Sequence, residues 1–170
     1  SHRILAIDRG EKEGFLSVKV DVDKDYIEGL VKQINACVKA DGTLDFPDYF
    51  VDWPTHEQPD EPAGCRALLI FMTNKVKPLC ETLGIDTGVV SELRQKLLKQ
   101  AIEVKTAKQV IALKYFALGE ITEEDKQTLI RGGAEGMSTF MAYYILKADA
   151  LAGGTKQIQM IKDYFGAMIS

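Results

Sequence analysis

The chain has 170 residues, of which 46% are hydrophobic and 27% charged, and its formal net charge is −4. This composition is typical of a globular protein that is long enough to bury a core. No apolar run approaches the roughly 20 residues that a membrane-spanning helix needs, so we expect no membrane partner.

Residues 3–22 predict a β-hairpin. Apolar and β-branched side chains flank a polar connection at 9–14, and from Leu16 to Val22 apolar and polar side chains alternate. Such alternation is typical of a strand with one buried face. A hairpin alone is marginal in water, so we expect the next element to cover its apolar face.

That next element is a helix over 24–39, with Asp23 as its N-cap and apolar residues at helical spacing. Together they form a predicted ββα unit over residues 1–40. Residues 41–62 hold four of the five prolines and the only tryptophan, which predicts an irregular acidic connector. A short strand over 49–53 is the alternative within it.

Residues 63–170 predict a multi-helix bundle. The Thr122 and Asp125 pair indicates a capping box, and glycines mark several helix ends. A buried strand over 68–72 is the alternative to the first helix of this region. The predicted helices span 63–74, 76–83, 88–103, 106–118, 122–131, 134–152 and the residues from 155 onward. We therefore expect an α+β fold that is predominantly α.

The cysteines indicate the cellular compartment of the protein, and the charge distribution indicates which part of the chain could approach a polyanion. Cys37, Cys65 and Cys80 are odd in number and lie in apolar helical patterns, which favours reduced thiols and a cytoplasmic location. Residues 1–62 hold fourteen acidic and seven basic side chains, whereas residues 63–170 hold eleven acidic and fourteen basic ones. A polyanion would be repelled by the first part and tolerated by the second.

A resemblance to a known family concerns the N-terminal segment alone. Residues 2–16, HRILAIDRGEKEGFL, resemble a segment of the Tex family of transcription accessory proteins, and the similarity extends at most over residues 1–31. Members of that family carry helical domains, an RNase H-like domain and an S1 RNA-binding domain. The resemblance implies an association with nucleic acid, but no segment here resembles an S1 barrel, so no RNA-binding residue of the family has a counterpart.

Asp8 is the one candidate catalytic residue. In RNase H-like nucleases the first strand ends in an acidic residue that helps to hold Mg²⁺, and the predicted strand ending at Asp8 resembles that opening. Cleavage with two metal ions needs several converging carboxylates. Residues 63–170 predict no convincing strands to carry them, so a metal-dependent nuclease is a secondary hypothesis.

Residues 76–99 resemble a helix-turn-helix. Cys80 would be the small residue of the first helix, Gly84 would form the turn, and Val90 and Leu93 would face inward. Arginine and glutamine can bond base edges, and lysine can bond phosphates. The alternative is plain helix packing. The candidate nucleic-acid-binding residues are Lys75, Lys77, Ser91, Arg94, Gln95, Lys96, Lys99, Lys105 and Lys108.

Other candidate sites carry less signal. The aspartates of residues 41–52 lack the spacing of a calcium loop, and His56 has no Cys or His at ligand spacing. We therefore expect no metal and no cofactor. An aromatic and methionine stripe predicts either core packing or an interface between copies of the chain. The stripe comprises Met137, Phe140, Met141, Tyr143 and Tyr144.

The leading hypothesis is a non-catalytic protein that binds DNA or RNA through its middle helices. The rival hypothesis is a helical scaffold, such as a viral or phage structural component, which assembles as a homo-oligomer or with a protein partner. The metal-dependent nuclease that uses Asp8 is the third.

Overall fold

Seven helices with defined bounds lie in the described residues, and residues 162–163 and 166 are also helical. The computed structural model describes residues 2–17, 22–133, 139–153, 162–163 and 166. The only strand-like pairing in these ranges is an isolated antiparallel bridge between Val38 and Leu44. The helices are α1 (His2–Lys12), α2 (Lys24–Ala36), α3 (Glu61–Leu83), α4 (Gly88–Leu97), α5 (Lys108–Leu118), α6 (Glu123–Ile130) and α7 (Thr139–Leu151).

The predicted N-terminal hairpin, and with it the α+β fold class, is wrong. Residues 2–12 form α1, in which Arg9 bonds Glu13 at 2.6 Å and Lys12 bonds Asp8 at 2.8 Å. Pairs four residues apart meet on a helix but not on a strand. Phe15, the first apolar residue of the predicted second strand, is 82% exposed. Residues 18–21 of that strand lie outside the described residues.

The two alternative strands are also absent from their predicted positions. Residues 49–53 are irregular, and residues 68–72 lie within α3. Two predicted helices, over 63–74 and 76–83, are in fact the single helix α3, which continues through Pro78. Pro78 lacks an N–H donor, so one backbone bond of the helix is lost there. The helix ends at Gly84, which has a φ of 67°.

Helix α3 is the central element, and its hydrogen bonds fix the directions of its neighbours. Asp60, just before α3, bonds the residues that precede α5, and Asn74 bonds the carbonyl of Ala117 at 2.9 Å. Helices α3 and α5 therefore run parallel. Asn74 also accepts a bond from Arg94, whereas Arg66 bonds the carbonyl of Leu97. Helix α4 consequently runs antiparallel to α3.

Gly64 permits the close approach of α3 to its neighbours. A Cβ atom at this position would lie 2.9 Å from a methyl carbon of Val51 and 3.0 Å from a methyl carbon of Val110. Carbon atoms normally pack at about 3.5–4.0 Å. Any larger residue here would push α3 away from α5 and from the connector.

The buried side chains form three clusters around these helices. One joins α3, α4 and α5 to the connector around Ile70 and Leu97, and a second joins α5, α6 and α7 around Leu129 and Ile145. The third lies between α2, the end of α3 and α4 around Cys80. Buried apolar area of this kind is the main favourable term in folding. None of the α1 side chains whose burial is described, Ile4 to Lys12, is buried.

Two local predictions of helix starts are confirmed. Asp23 accepts a hydrogen bond from the backbone of Tyr26 at 2.9 Å, and Thr122 with Asp125 forms a capping box at the start of α6. Cys37 and Cys65 are half-buried, Cys80 is buried, and all three are free thiols. No described helix combines the length and the apolar character that crossing a membrane requires.

The C-terminal predictions are tested in part. Residues 134–138 and the predicted helix from residue 155, except residues 162–163 and 166, lie outside the described residues, as do the side chains of Met137 and Phe140. Within α7, Met141 and Ile145 are buried in the second cluster, whereas Tyr143 is 59% exposed. The aromatic stripe is thus divided between core and surface.

Candidate anion-binding groove

An open groove lies where the connector, the start of α3 and the segment after α4 meet. Its volume is about 600 Å³, within the usual range of about 300–1,000 Å³ for small-molecule sites. We call it the Arg66 groove. Its walls are formed by Thr43, Leu44, Tyr49, Pro59, Asp60, Pro62, Ala63, Arg66, Gln100, Ala101, Glu103 and Lys105.

Arg66 is the buried charge of this groove. The residue is only 6% exposed, and its guanidinium donates hydrogen bonds of 3.0 Å to the Leu97 carbonyl and to Oε1 of Gln100. A guanidinium has five N–H donors, so two of the five are used by the protein. Among the described residues, Arg66 forms no ion pair. Burial lowers the pKa of Arg66, and the nearby Tyr49 and Asp41 oppose that shift.

The orientation of Arg66 is fixed by a second set of bonds. Its partner Gln100 donates from Nε2 to Oγ1 of Thr43 at 3.0 Å and to the carbonyl of Asp41 at 3.3 Å. Tyr49 donates its hydroxyl proton to the Leu44 carbonyl at 3.0 Å, which ties down the same part of the connector. The guanidinium is therefore held by a supporting shell of the kind that makes binding sites rigid.

Asp60 supplies a carboxylate whose charge is already compensated. The side chain is buried and accepts backbone hydrogen bonds of 3.0, 2.9 and 2.9 Å from Lys105, Thr106 and Ala107. Burial raises the pKa of Asp60, but the three N–H bonds outweigh burial and hold the pKa below its usual value. Each bond stabilises the ionised form. Asp60 thus joins the beginnings of α3 and α5 rather than neutralising Arg66.

The remaining charges of the wall are of both signs, and the positive ones lie at Lys105 and at the start of α3. Lys105 is exposed in its wall, and Pro62 and Ala63 belong to the first turn of α3, where the helix dipole is positive. Glu103 is the exposed acidic residue of the wall. A planar guanidinium bonds carboxylate and phosphate groups with two parallel N–H bonds. The groove therefore suits a ligand with such a group.

Three of the predicted nucleic-acid-binding residues, which lie on α4 or just after it, bond other parts of the protein. Arg94 donates to Oδ1 of Asn74 at 2.9 Å, Lys96 bonds both Asn35 and Glu92, and Lys99 donates to the carbonyl of Ala40 at 2.7 Å. These bonds fasten α4 to α3, to α2 and to the start of the connector. Arg94, Lys96 and Lys99 therefore each have a partner within the protein.

The other six predicted residues are spread over several surfaces. Lys75 lies 5.5 Å from the ring centre of Phe71, Lys77 and Gln95 are exposed, and Ser91 is half-buried. Lys108 bonds the carbonyl of Gly133 at 3.2 Å. Lys105 is the one member of the predicted set in the wall of the Arg66 groove. The structure does not gather the nine residues onto a single helix face.

Asp8 lies on α1, not at the end of a strand. Its carboxylate is exposed and bonds Lys12 at 2.8 Å. In the part of the chain that the structure describes, no three His, Cys, Asp or Glu residues are placed to hold a metal ion together. The strand on which the nuclease hypothesis depends is therefore missing from residues 2–12.

Sequence reasoning missed Arg66, Asp60 and Gln100. One signal was available, because Arg66 is the only charged residue in the apolar run from residue 63 to residue 72. A charge in such a run is rarely buried without a partner. Comparisons of the chain with protein-family models, with curated proteins and with solved structures found no match.

Proposed function

We propose that this chain is a non-catalytic binding protein whose Arg66 groove takes a small ligand with a phosphate or carboxylate group. The observation that carries the proposal is the Arg66 guanidinium, which is buried, rigidly held and without an ion pair among the described residues. An unpaired buried charge destabilises a protein by several kcal/mol. A bound anion would offset that cost.

The test is thermal unfolding with added anions at constant ionic strength. Inorganic phosphate and citrate represent the two anionic groups, and chloride is the reference. A ligand present at about one hundred times its Kd adds about 2.7 kcal/mol to the free energy of unfolding. We expect the melting temperature of the natural chain to rise with phosphate or citrate, and we expect the rise to disappear in Arg66→Met.

Arg94→Met is the matched control, because Arg94 is a half-buried arginine that bonds a side-chain amide oxygen, as Arg66 does, but does not line the groove. This variant should keep the full response to the anion. Lys105→Ala should reduce the response without abolishing it, since Lys105 lies in the exposed wall. An equal response in wild type and Arg66→Met would overturn the proposal.

Nucleic-acid binding through α4 stays a prediction. It has less support than the groove, because Arg94, Lys96 and Lys99 already bond protein groups. A short single-stranded oligonucleotide, titrated beside phosphate, separates the two ideas. Binding that falls with salt and is lost in Arg94→Ala with Lys96→Ala, but kept in Arg66→Met, would favour nucleic acid.

Self-assembly also stays a prediction, and one observation favours it. Ile4 and Leu5 of α1 are 67% and 66% exposed, and Phe15 and Leu16 beside it are exposed as well. Large exposed apolar surfaces commonly mark interaction sites. Light scattering across a dilution series tests this idea: Leu5→Ser should lower the molecular mass if α1 joins copies, and a monomer at all concentrations would refute it.

A further inference from the structure

Three rings of the connector, none of which lines the Arg66 groove, form a partly exposed cluster. Trp53 is 80% exposed and Phe50 is 50% exposed. The ring centres of Phe50 and Trp53 are 5.2 Å apart, and His56 lies 5.5 Å from Phe50 and 6.1 Å from Trp53. All three pairs meet edge to face, a favourable arrangement of aromatic rings. We call these residues the Trp53 patch.

The backbone beneath the patch is held by buried side chains. Asp52 is buried and accepts bonds from the backbone N–H of Thr55, at 3.0 Å, and from the Thr55 hydroxyl. Gln109 of α5 donates to the same hydroxyl oxygen at 2.8 Å. The turn that carries Trp53 is therefore fastened to the central helices.

Glu61, the first residue of α3, fastens the other side of the loop. Its carboxylate is buried, accepts the backbone N–H of Glu57 at 2.8 Å and bonds Nδ1 of His56 at 3.2 Å. Glu57 has a φ of 60°, a conformation that costs energy outside glycine. Because the loop is ordered before any partner arrives, binding to Trp53 would lose little conformational entropy.

The carboxylates of the connector give the neighbourhood of the patch a negative contribution. Residues 41–62 contain seven carboxylates and no lysine or arginine. Asp48, Glu57 and Glu61 all act electrostatically on His56 and so lie near the rings. Asp48 and Glu57 are exposed. An arginine or lysine is attracted both to such carboxylates and to the face of an indole ring.

From this charge complementarity we propose that the Trp53 patch docks a basic segment of a protein partner, with an arginine or lysine side chain against Trp53. Exposed aromatic residues on rigid supports are the commonest energetic centres of protein interfaces. The surrounding carboxylates would steer the positive segment towards the ring and exclude acidic ones. This proposal does not depend on the Arg66 groove, since the two sites share no residue.

The experiment uses the full chain and the fluorescence of its single tryptophan. The probe is a short capped peptide of alternating glycine and arginine, and the matched control is the same peptide with glutamate in place of arginine. We expect saturable change of the Trp53 emission with the arginine peptide alone. An unchanged emission, or an equal change with the glutamate peptide, would overturn the proposal.

Variants then separate docking on the patch from general attraction of charges. Binding of a labelled peptide, followed by anisotropy, should weaken about tenfold in Trp53→Ala, the effect of one desolvated cation–π contact. Asp48→Asn with Glu57→Gln should weaken it further at low salt. Tyr26→Ala is the control, because Tyr26 is an aromatic residue on α2 that is 67% exposed. Equal binding by Trp53→Ala and Tyr26→Ala contradicts the proposal.

Discussion

Lys96 of α4 donates a hydrogen bond of 3.1 Å to the side chain of Asn35 in α2. The two residues are 61 positions apart, and Lys96 also pairs with Glu92 at 2.8 Å within its own helix. The Lys96 side chain is only 20% exposed. A residue that the sequence assigns to a nucleic-acid surface thus joins two helices of the protein.

The first prediction concerns the hydrogen bond between Lys96 and Asn35. Lys96→Met should lower the free energy of unfolding by about 1 kcal/mol. The variant loses the hydrogen bond to Asn35, so the half-buried amide oxygen of Asn35 no longer receives the bond from Lys96. Lys77→Met is the control, since Lys77 is an exposed lysine of α3, and it should change stability by less than about 0.5 kcal/mol. Urea unfolding followed by circular dichroism measures both. Equal changes in the free energy of unfolding for Lys96→Met and Lys77→Met would show that the bond of Lys96 to Asn35 does not stabilise the fold.

The second prediction separates a helix from a hairpin at the N-terminus. Leu5 is exposed on α1, so Leu5→Ser should change the free energy of unfolding of dilute protein by less than about 0.5 kcal/mol. Leu97 is 0% exposed in the main cluster, so Leu97→Ala should cost about 2–5 kcal/mol. A cost of the same size for Leu5→Ser would mean that residue 5 belongs to a buried face.

The third prediction concerns Asp60 and acid. Its folded-state pKa lies below the unfolded value, so its stabilising effect is fully present above pH 3.8 and is lost as pH falls through the folded pKa. Asp60→Asn should lower the free energy of unfolding at pH 7 by about 2–3 kcal/mol, as expected for charged hydrogen bonds. The difference from wild type should shrink in acid. Asp25→Asn, at an exposed position of α2, should show neither effect.

The fourth prediction is the titration of His56. The hydrogen bond that the His56 Nδ1–H donates to Glu61 raises the pKa of this imidazole above 6.5; burial opposes the shift, and the charges of Glu61, Glu57 and Asp48 add to it. The stabilisation is therefore present below pH 6.5 and is lost as pH rises through the folded pKa. NMR titration should show a pKa above 6.5 that falls towards 6.5 in Glu61→Gln. A value below 6.5 in the natural chain would contradict the geometry.

Rules that operate within a few residues predicted two helix starts correctly. The caps at Asp23 and Thr122 depend on partners three positions away, so the sequence alone is enough to find them. The N-terminal segment failed because Ile4, Leu5 and Ile7 fit a strand or a helix equally well. Pairs such as Lys12 with Asp8, whose spacing favours a helix, are individually too weak to be decisive.

The candidate groove could not be predicted in this way. Arg66 meets Gln100 across 34 positions, and Asp60 meets Thr106 across 46 positions. No spacing rule links residues so far apart, because their contact depends on the packing of α3 against α4 and α5. The bonds of Arg94 to Asn74 and of Lys96 to Asn35 could not be predicted for the same reason, since each joins two helices.

The carboxylate of Asp60 has a consequence for the order of folding. Hydrogen bonds within a helix join residues that are close in sequence. The Asp60 carboxylate, in contrast, can accept its three bonds only after the chain has folded back and placed Lys105, Thr106 and Ala107 beside it. Contacts of such long sequence separation are costly in loop entropy and tend to form late. Asp60→Asn should accordingly increase the unfolding rate constant and leave the folding rate constant nearly unchanged.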